Sequence, residues 1–390
     1  MTQVLNKAIS TNRMIAELHG KEKGPTVVFF GGIHGNEAAG VIAIEESLNN
    51  LQEDIKGSIY GIAGNLKALN VSRRYIDKDL NRLWTFEKIY SSEDNMDCVE
   101  DKEQEELIHL IEKILSQSQP PFYFIDFHTT SSKSIPFITI NDAIINRKFS
   151  ELFPIPTVLG IEEYLDGPLL SFINQLGYVS LGVEVGQHED IESIQNAKAI
   201  INIILNKTGI ANVDITASLD LLNNHGRYNS EFFEVTHREQ IKPSDEFIMY
   251  DGFFNFQPIL KNDLLAIKNG KSLYSPKDGR IFMPLYQKQG DEGFFIIEKI
   301  NPLFLRVSAF FRKLKLYNLL VILPGVKWKN KKRGILEANL KVTKFFVKNI
   351  SHLIGFRAKK IEKNRMLMYN REKVARTNEY KKEEWFNKGY

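Results

Sequence analysis

The chain has 390 residues, 43% of them hydrophobic and 25% charged, which is enough apolar material for a large core and two folded domains. The net charge of +3 hides an asymmetry: Arg306 to Tyr390 carries 23 Lys and Arg against 6 Asp and Glu, a net of +17, which leaves the preceding body at −14. Cys98 is the single cysteine, so an intrachain disulfide and a cysteine-built metal site are excluded; with no apolar core in the N-terminal segment and no run of the ~18 apolar residues a membrane span needs, a cytoplasmic body is expected.

In chain order, "MIAELHG" and "TVVFF" read as strands on either side of a hairpin-like break at "KEKGP". The turn "GGIHGNE", residues 31–37, follows the second strand, and then Val41, Ile44, Leu48 and Leu51 fall on one face of a helix. "GSIYGIAG" is the next strand, "SSEDNMDCVED" an acidic exposed connection, and "EQEELIHLIEKIL" a helix. "PPFYFIDFHTT" is a buried strand, "PIPTVLGI" and "VSLGVEVG" are two more, and "IQNAKAIINIILNKTG" is a helix stopped by glycine. Strands alternating with helices to about Gly209 predict an α/β fold, a mostly parallel mixed sheet flanked by helices. Beyond Ile210, short strands with turn chemistry at Asp251-Gly252, Asn269-Gly270 and Asp278-Gly279 predict a small all-β domain. The predicted organisation is 1–210 catalytic, 211–305 β and 306–390 a basic helical extension.

The chemistry begins at the glycine turn. His34 and Glu37 sit where the chain leaves a strand, the edge at which α/β sheets bind ligands. One imidazole and one carboxylate at that spacing can reach a single zinc ion, and catalytic zinc commonly takes two histidines and a carboxylate. His128, ending the strand "YFIDFHTT", supplies the second imidazole; Asp126, two residues earlier, lies on the same side and can orient it. Taken singly, each histidine is more simply a core or surface residue; the weight rests on their co-occurrence at two strand ends. In "SRRYIDKDLNRLW", Arg73, Arg74, Asp77, Asp79, Asn81 and Arg82 crowd together. The plain alternative is a solvated salt-bridged helix, but the interleaved Tyr75, Ile76, Leu80 and Leu83 leave no clean polar face, and a guanidinium beside an amide makes a carboxylate clamp. Glu184, inside the apolar strand "LGVEVG", is costly to bury without a polar task.

Together and in this order, "GGIHGNE", "RYIDKDLNR", "DFHTT" and "GVEVGQ" resemble the succinylglutamate desuccinylase/aspartoacylase family of zinc hydrolases, related to the zinc carboxypeptidases, over roughly residues 10 to 300. The resemblance implies one Zn²⁺ per chain, held by His34, Glu37 and His128, with Glu184 as the catalytic glutamate that activates water. It further implies that Arg74 polarises the scissile carbonyl, that Asn81 and Arg82 bind the substrate carboxylate, and that Asp77 and Asp79 support the arginines. Departures are also plain. The stretch "SFINQLGYVS" lacks the further substrate-holding arginine of aspartoacylase, Thr129 stands where aspartoacylase has asparagine, and a tyrosine of the aspartoacylase site falls near Phe294 or Phe295. N-acetylaspartate is therefore not the expected substrate.

The expected function is hydrolysis of the amide bond of a small, carboxylate-bearing N-acyl amino acid or related compound. The alternatives are a zinc carboxypeptidase acting on short peptides and a metal-binding protein without catalysis. The basic tail reads either as helices packed on the body or, since Lys and Arg mix with Phe, Leu and Trp328, as a peripheral contact with an anionic membrane. Nucleic acid is not expected, because no recognition motif accompanies the charge; a homo-oligomer is compatible with the sequence.

Overall fold

The computed structural model describes residues 8–89, 98–226, 228–343, 353–362 and 364–387. The acidic connection 91–97 and the tail stretch 344–352 lie outside the described residues. The first half alternates β1 (Met14–His19), β2 (Glu22–Gly31), α1 (Ala39–Asn49), β3 (Lys56–Ala63), the short α2 (Leu66–Leu69), α3 (Phe86–Ile89), α4 (Val99–Gln117) and β4 (Phe122–Thr130). It continues through β5 (Phe137–Ile140), α5 (Ile144–Ser150), β6 (Thr157–Leu159), α6 (Leu169–Leu176), β7 (Val179–Gln187), α7 (Glu192–Lys207) and α8 (Thr216–Asn223). The predicted mixed α/β architecture with a mostly parallel sheet is what forms.

Strands β3, β2, β4 and β7 are parallel neighbours at the centre. Along β2, Val27 and Phe29 enter one core with Ile125 and Phe127, while Val28 and Phe30 enter the other with Phe124. Alternation with no polar face is what a parallel sheet covered on both sides requires. Helix α7 lines the first core with Ile200, Ile201 and Ile204, and α4 lines the second with Leu107, Ile111 and Ile114. The hairpin expected at "KEKGP" does not form: β3 inserts between β1 and β2, so β1 pairs antiparallel with β3 instead. Parallel pairing of β2 with β3 leaves the edge of β3 free, and β1 takes it.

Beyond 210 the strands are β8 (Phe232–Gln240), β9 (Phe247–Met249), β10 (Pro258–Ile259), β11 (Leu264–Lys268), β12 (Lys271–Tyr274), β13 (Gly279–Phe282) and β14 (Glu292–Lys299). β8 pairs with β6, and β14, β13 and β10 follow it, so one eleven-stranded sheet runs from the catalytic half into the β region; β12, β11 and β9 make a separate three-stranded sheet.

The tail departs from the helical expectation. It opens with one helix, α9 (Pro302–Lys313), whose Asn301 side chain accepts from Leu303 N–H. An antiparallel sheet of β15 (Val326–Asn330), β16 (Ile335–Asn339), β18 (Arg365–Asn370) and β17 (Phe356–Glu362) then forms around its own core of Leu336, Phe356 and Met368. Period-two alternation in "GILEANL", with Met366 and Met368 two apart in the apolar run of "RMLMYN", carries this, and the abundant lysines conceal it. The chain end returns to the body. Tyr380 accepts from Val179 N–H at 2.9 Å, and Trp385, 2% exposed, donates to the Tyr123 hydroxyl at 3.2 Å. Among the described residues, no helix is long and apolar enough to cross a membrane.

Candidate active site

The turn after β2 is shaped by glycine. Gly32 has φ +72°, and a Cβ on Gly35 would stand 2.1 Å from the Ala68 carbonyl carbon, so this turn closes on α2 only without side chains. It delivers His34 and Glu37 to the carboxyl end of the sheet. His128 arrives from the end of β4, and the parallel register sets Glu184 of β7 directly beside it.

These four groups meet. The Glu37 carboxylate lies between the two imidazoles, Oε1 at 2.9 Å from His34 Nδ1 and Oε2 at 2.8 Å from His128 Nδ1. Ligand atoms of His34, Glu37 and His128 all lie within 4.8 Å of one another, and all three residues are buried. Each histidine is backed by an acid on its other nitrogen: Asp126 Oδ2 at 2.8 Å from His128 Nε2, and Asp79 Oδ1 at 3.0 Å from His34 Nε2. Asp126 fills the orienting position that strand alternation predicts. Asp79 was expected to support the arginines, and it also does so, accepting from Arg74 Nη2 at 3.0 Å; its contact with His34 had no signal in the sequence, because it spans 45 positions. Asp77 does not support an arginine: it accepts from Val99 N–H at 2.9 Å, at the start of α4.

Electrostatics follow from this packing. Burial opposes ionisation of Glu37, but the positive charge of His34 and the hydrogen bond and charge of His128 hold its carboxyl well below the usual range. Burial likewise opposes protonation of His128, and Asp126 and Glu37 outweigh it, holding that imidazole well above its ordinary value. Glu184 goes the other way. Burial, with the negative charge of Glu37 and against the pull of His128 and Arg74, pushes it up to about 8. Its Oε2 and Asp126 Oδ1 are buried without a hydrogen-bond partner.

The stretch "SRRYIDKDLNR" is not a helix; only Leu80–Arg82 forms a 3-10 turn. Glu100 organises it, its carboxylate accepting the N–H groups of Ile76, Asp77 and Lys78 at 2.7, 3.0 and 3.1 Å and the side-chain amide of Asn65 at 3.0 Å. Glu100 belongs to the connection expected to be exposed, yet it is fully buried. A carboxylate that satisfies four donors is cheaper to bury than the bare loop amides would be. The loop so held presents Arg74, Asn81 and Arg82 to the same cleft as the histidines. Asn81 Oδ1 accepts from Leu169 N–H at 2.9 Å, and Arg82 donates to Glu292 of β14 at 3.0 Å.

The β region contributes Met283, Leu285, Gln287, Glu292 and Phe295 to the cleft wall. Of the two phenylalanines considered, Phe295 lines the cleft and Phe294 is packed in the β-region core. His188 also lines it, its nitrogens 2.7 Å from the Thr129 hydroxyl and 3.1 Å from Gln287 Oε1; burial pulls its pKa down. On the β5 side stand Thr139, Asn141 and Glu162.

Known proteins resemble this chain in sequence and fold. Residues 23–206 match the family described as the succinylglutamate desuccinylase/aspartoacylase catalytic domain. An N-acyl-aromatic-L-amino acid amidohydrolase (carboxylate-forming) of Xenopus tropicalis is 23% identical over 304 residues, covering 74% of this chain and 89% of that protein. A probable aspartoacylase of Nostoc sp. is 28% identical over 169 residues, 41% of this chain and 54% of that one. Among solved structures, a succinylglutamate desuccinylase/aspartoacylase from Rhodobacter sphaeroides superposes with a TM-score of 0.55 at 19% identity, covering 73% of this chain and 88% of that chain. The ectoine utilization protein EutE (DoeB) from Ruegeria pomeroyi, with product bound, does so with a TM-score of 0.54 at 20% identity, covering 72% and 87%. Residues 23–206 belong to the succinylglutamate desuccinylase/aspartoacylase catalytic-domain family.

Proposed function

We propose that this protein is a zinc-dependent amidohydrolase that cleaves the amide bond of a small N-acyl amino acid. The observation that carries the reading is the Glu37 carboxylate gripped between His34 and His128 beside the unpartnered oxygen of Glu184. The donor set suits zinc: two imidazole nitrogens and a carboxylate, with an acid behind each imidazole to fix its tautomer. With both imidazoles neutral, as metal binding requires, the buried carboxylates of Glu37, Asp79 and Asp126 are balanced by the Arg74 guanidinium and a divalent ion. Zinc held by His34, Glu37 and His128 supplies Lewis acidity that makes water nucleophilic near neutral pH.

The chain's own residues do the rest. Glu184 takes a proton from the attacking water and returns it to the leaving amine, a role for which a carboxyl with a raised pKa is suited. Arg74, pinned by Asp79, aims a fixed positive charge at the scissile carbonyl oxygen, and such a donor is typically worth about 3–4 kcal/mol in the transition state. Asn81, its Oδ1 already engaged, has its NH₂ to offer a carboxylate, and Arg82 exchanges Glu292 for the substrate. Among the described residues, the β5 side of the cleft presents Thr139, Asn141 and Glu162 and no cationic side chain, which leaves a second substrate carboxylate without a partner there. An acyl group without a carboxylate therefore fits better than succinyl. The narrowing of the cleft by Met283, Leu285 and Phe295 disfavours long peptides, which weighs against the carboxypeptidase alternative.

The test is metal analysis of purified protein followed by a panel of N-acyl amino acids and dipeptides, with free amine as readout. One zinc per chain and release of amine from acyl amino acids are expected. A metal-free preparation that hydrolyses the panel, or a zinc-loaded one that hydrolyses only dipeptides, would displace this reading.

A further inference from the structure

Helix α9 is built inside out. Its buried positions are Leu305, Ser308 and Arg312. Ser308 donates to the Leu353 carbonyl at 2.7 Å, and Arg312 donates to Asp142 Oδ2 at 2.6 Å and to Glu372 Oε1 at 3.0 Å. The opposite face, at helical spacing, is Leu303, Val307, Phe310 and Leu314. Leu303, Phe310 and Leu314 are 62%, 57% and 53% exposed, and the adjoining Phe304 is 64% exposed. The 3-10 helix that follows, Leu316–Ile322, adds Leu319 and Ile322 at 55% and 75%. An ordinary surface helix turns its apolar stripe inward and its charges out. Rolling over would cost it the buried ion pairs of Arg312 with Asp142 and Glu372. The exposure is thus enforced by the fold, and a concentration of large apolar side chains held outward marks a docking surface.

The surrounding charge selects what docks. Arg306, Lys313 and Lys315 are exposed on α9 and at its end, and Lys327 and Lys329 are exposed on the strand packed against the 3-10 helix. Between 302 and 343, Glu337 is the one acid, and it faces Arg365 at 3.1 Å and Lys327 at 3.8 Å. A two-fold pair of copies would lay this face on itself, setting basic residues against basic residues, which opposes association. An anionic lipid surface satisfies both features, accepting aromatic and aliphatic side chains at the headgroup boundary and Lys and Arg at the phosphates. We propose that α9 and the 3-10 helix after it form a peripheral docking face for an anionic bilayer.

The test is co-sedimentation of the full chain with phosphatidylcholine vesicles, with and without phosphatidylglycerol. Binding is expected only with phosphatidylglycerol, weakening as salt is raised. It should fall by about tenfold or more in Phe304→Ser/Phe310→Ser and in Lys313→Glu/Lys315→Glu. These side chains are at the surface, and circular dichroism and the melting temperature verify that each variant is folded. Equal sedimentation of the parent with both vesicle types, or parental binding by folded Phe304→Ser/Phe310→Ser, overturns the proposal. A dimer of the parent that this variant dissociates, with vesicle binding unchanged, assigns the face to a second copy instead.

Discussion

Two of the clusters of buried charge among the described residues differ in the bases that meet their acids. Around Asp142, the acids Asp142, Glu162 and Glu372 meet the guanidinium groups of Arg147, Arg312 and Arg371, tying α5 of the catalytic half to the tail. Around Glu37, the acids Glu37, Asp79 and Asp126 meet two imidazoles and the Arg74 guanidinium, and Glu184 stands beside them with one oxygen unpartnered. The first cluster uses guanidinium groups, which stay charged, and joins two parts of the chain. The second uses imidazoles, which can give up a proton to a metal ion, and the ligand atoms of His34, Glu37 and His128 lie close enough to hold one.

Breaking the second cluster at Glu184 gives the largest expected effect. Glu184→Gln keeps the shape and removes the carboxylate proposed to shuttle the proton, so turnover should fall by about 10²–10⁴-fold while zinc content holds at the parental level. Metal analysis beside single-turnover kinetics checks both halves. Parental turnover in a fully loaded Glu184→Gln preparation would remove Glu184 from the mechanism. Chelation should abolish turnover in the parent, and added zinc should restore it.

Breaking the first cluster should damage stability and leave chemistry alone. Arg312→Met leaves Asp142 and Glu372 short of a buried partner, a change that typically costs about 3–5 kcal/mol. Urea unfolding reads the loss, and activity per folded molecule should stay near parental. The same cluster gives a pH dependence. Burial would raise the Asp142 carboxyl, but Arg147, Arg312 and Arg371 hold it well below the usual carboxylate range. Its folded pKa thus lies below the unfolded value of ~3.9. The stability it contributes is present above that value and is lost as pH falls below it. Asp142→Asn should flatten the acid limb of the stability curve; an unchanged limb would show that other carboxylates govern it.

How much of this was legible beforehand depends on reach along the chain. His34 with Glu37 is a local pattern, and His128 with Asp126 follows from strand alternation, so both halves of the candidate metal-binding set could be read from residues close in sequence, and the structure brings them together. Glu184 stood out because a lone acid interrupts an apolar strand. Glu100, Glu292 and His188 were not legible as site residues. Each acts through a partner far along the chain, as Arg82 and Glu292 do across 210 positions, and only the sheet topology brings them together. The tail misled for another reason: its lysines dominate the composition, while the alternation of β16 and the apolar run of β18 are short.

Removing an orienting acid grades the second cluster more finely. Asp126→Asn keeps a hydrogen-bonding group at 2.8 Å from His128 Nε2 but withdraws its charge. Loss of such a partner usually weakens metal affinity by 10–100-fold; zinc competition with a chromophoric chelator measures it.

Glu100→Gln is the mildest break, because it acts on a loop and not on a ligand. The amide keeps one acceptor oxygen for four donors, so some of the Ile76, Asp77, Lys78 and Asn65 donors lose their partner. Each buried donor left unsatisfied costs about 1–3 kcal/mol, and relaxation of the loop recovers part of it. The loop carries Arg74, Asn81 and Arg82, while the proposed metal-binding residues lie on β4 and the glycine turn. The variant should therefore raise KM and lower kcat modestly, with zinc affinity unchanged. A fall in zinc affinity as large as that of Asp126→Asn would mean that the loop and the metal cluster move as one unit, with Asp79 as the link through His34.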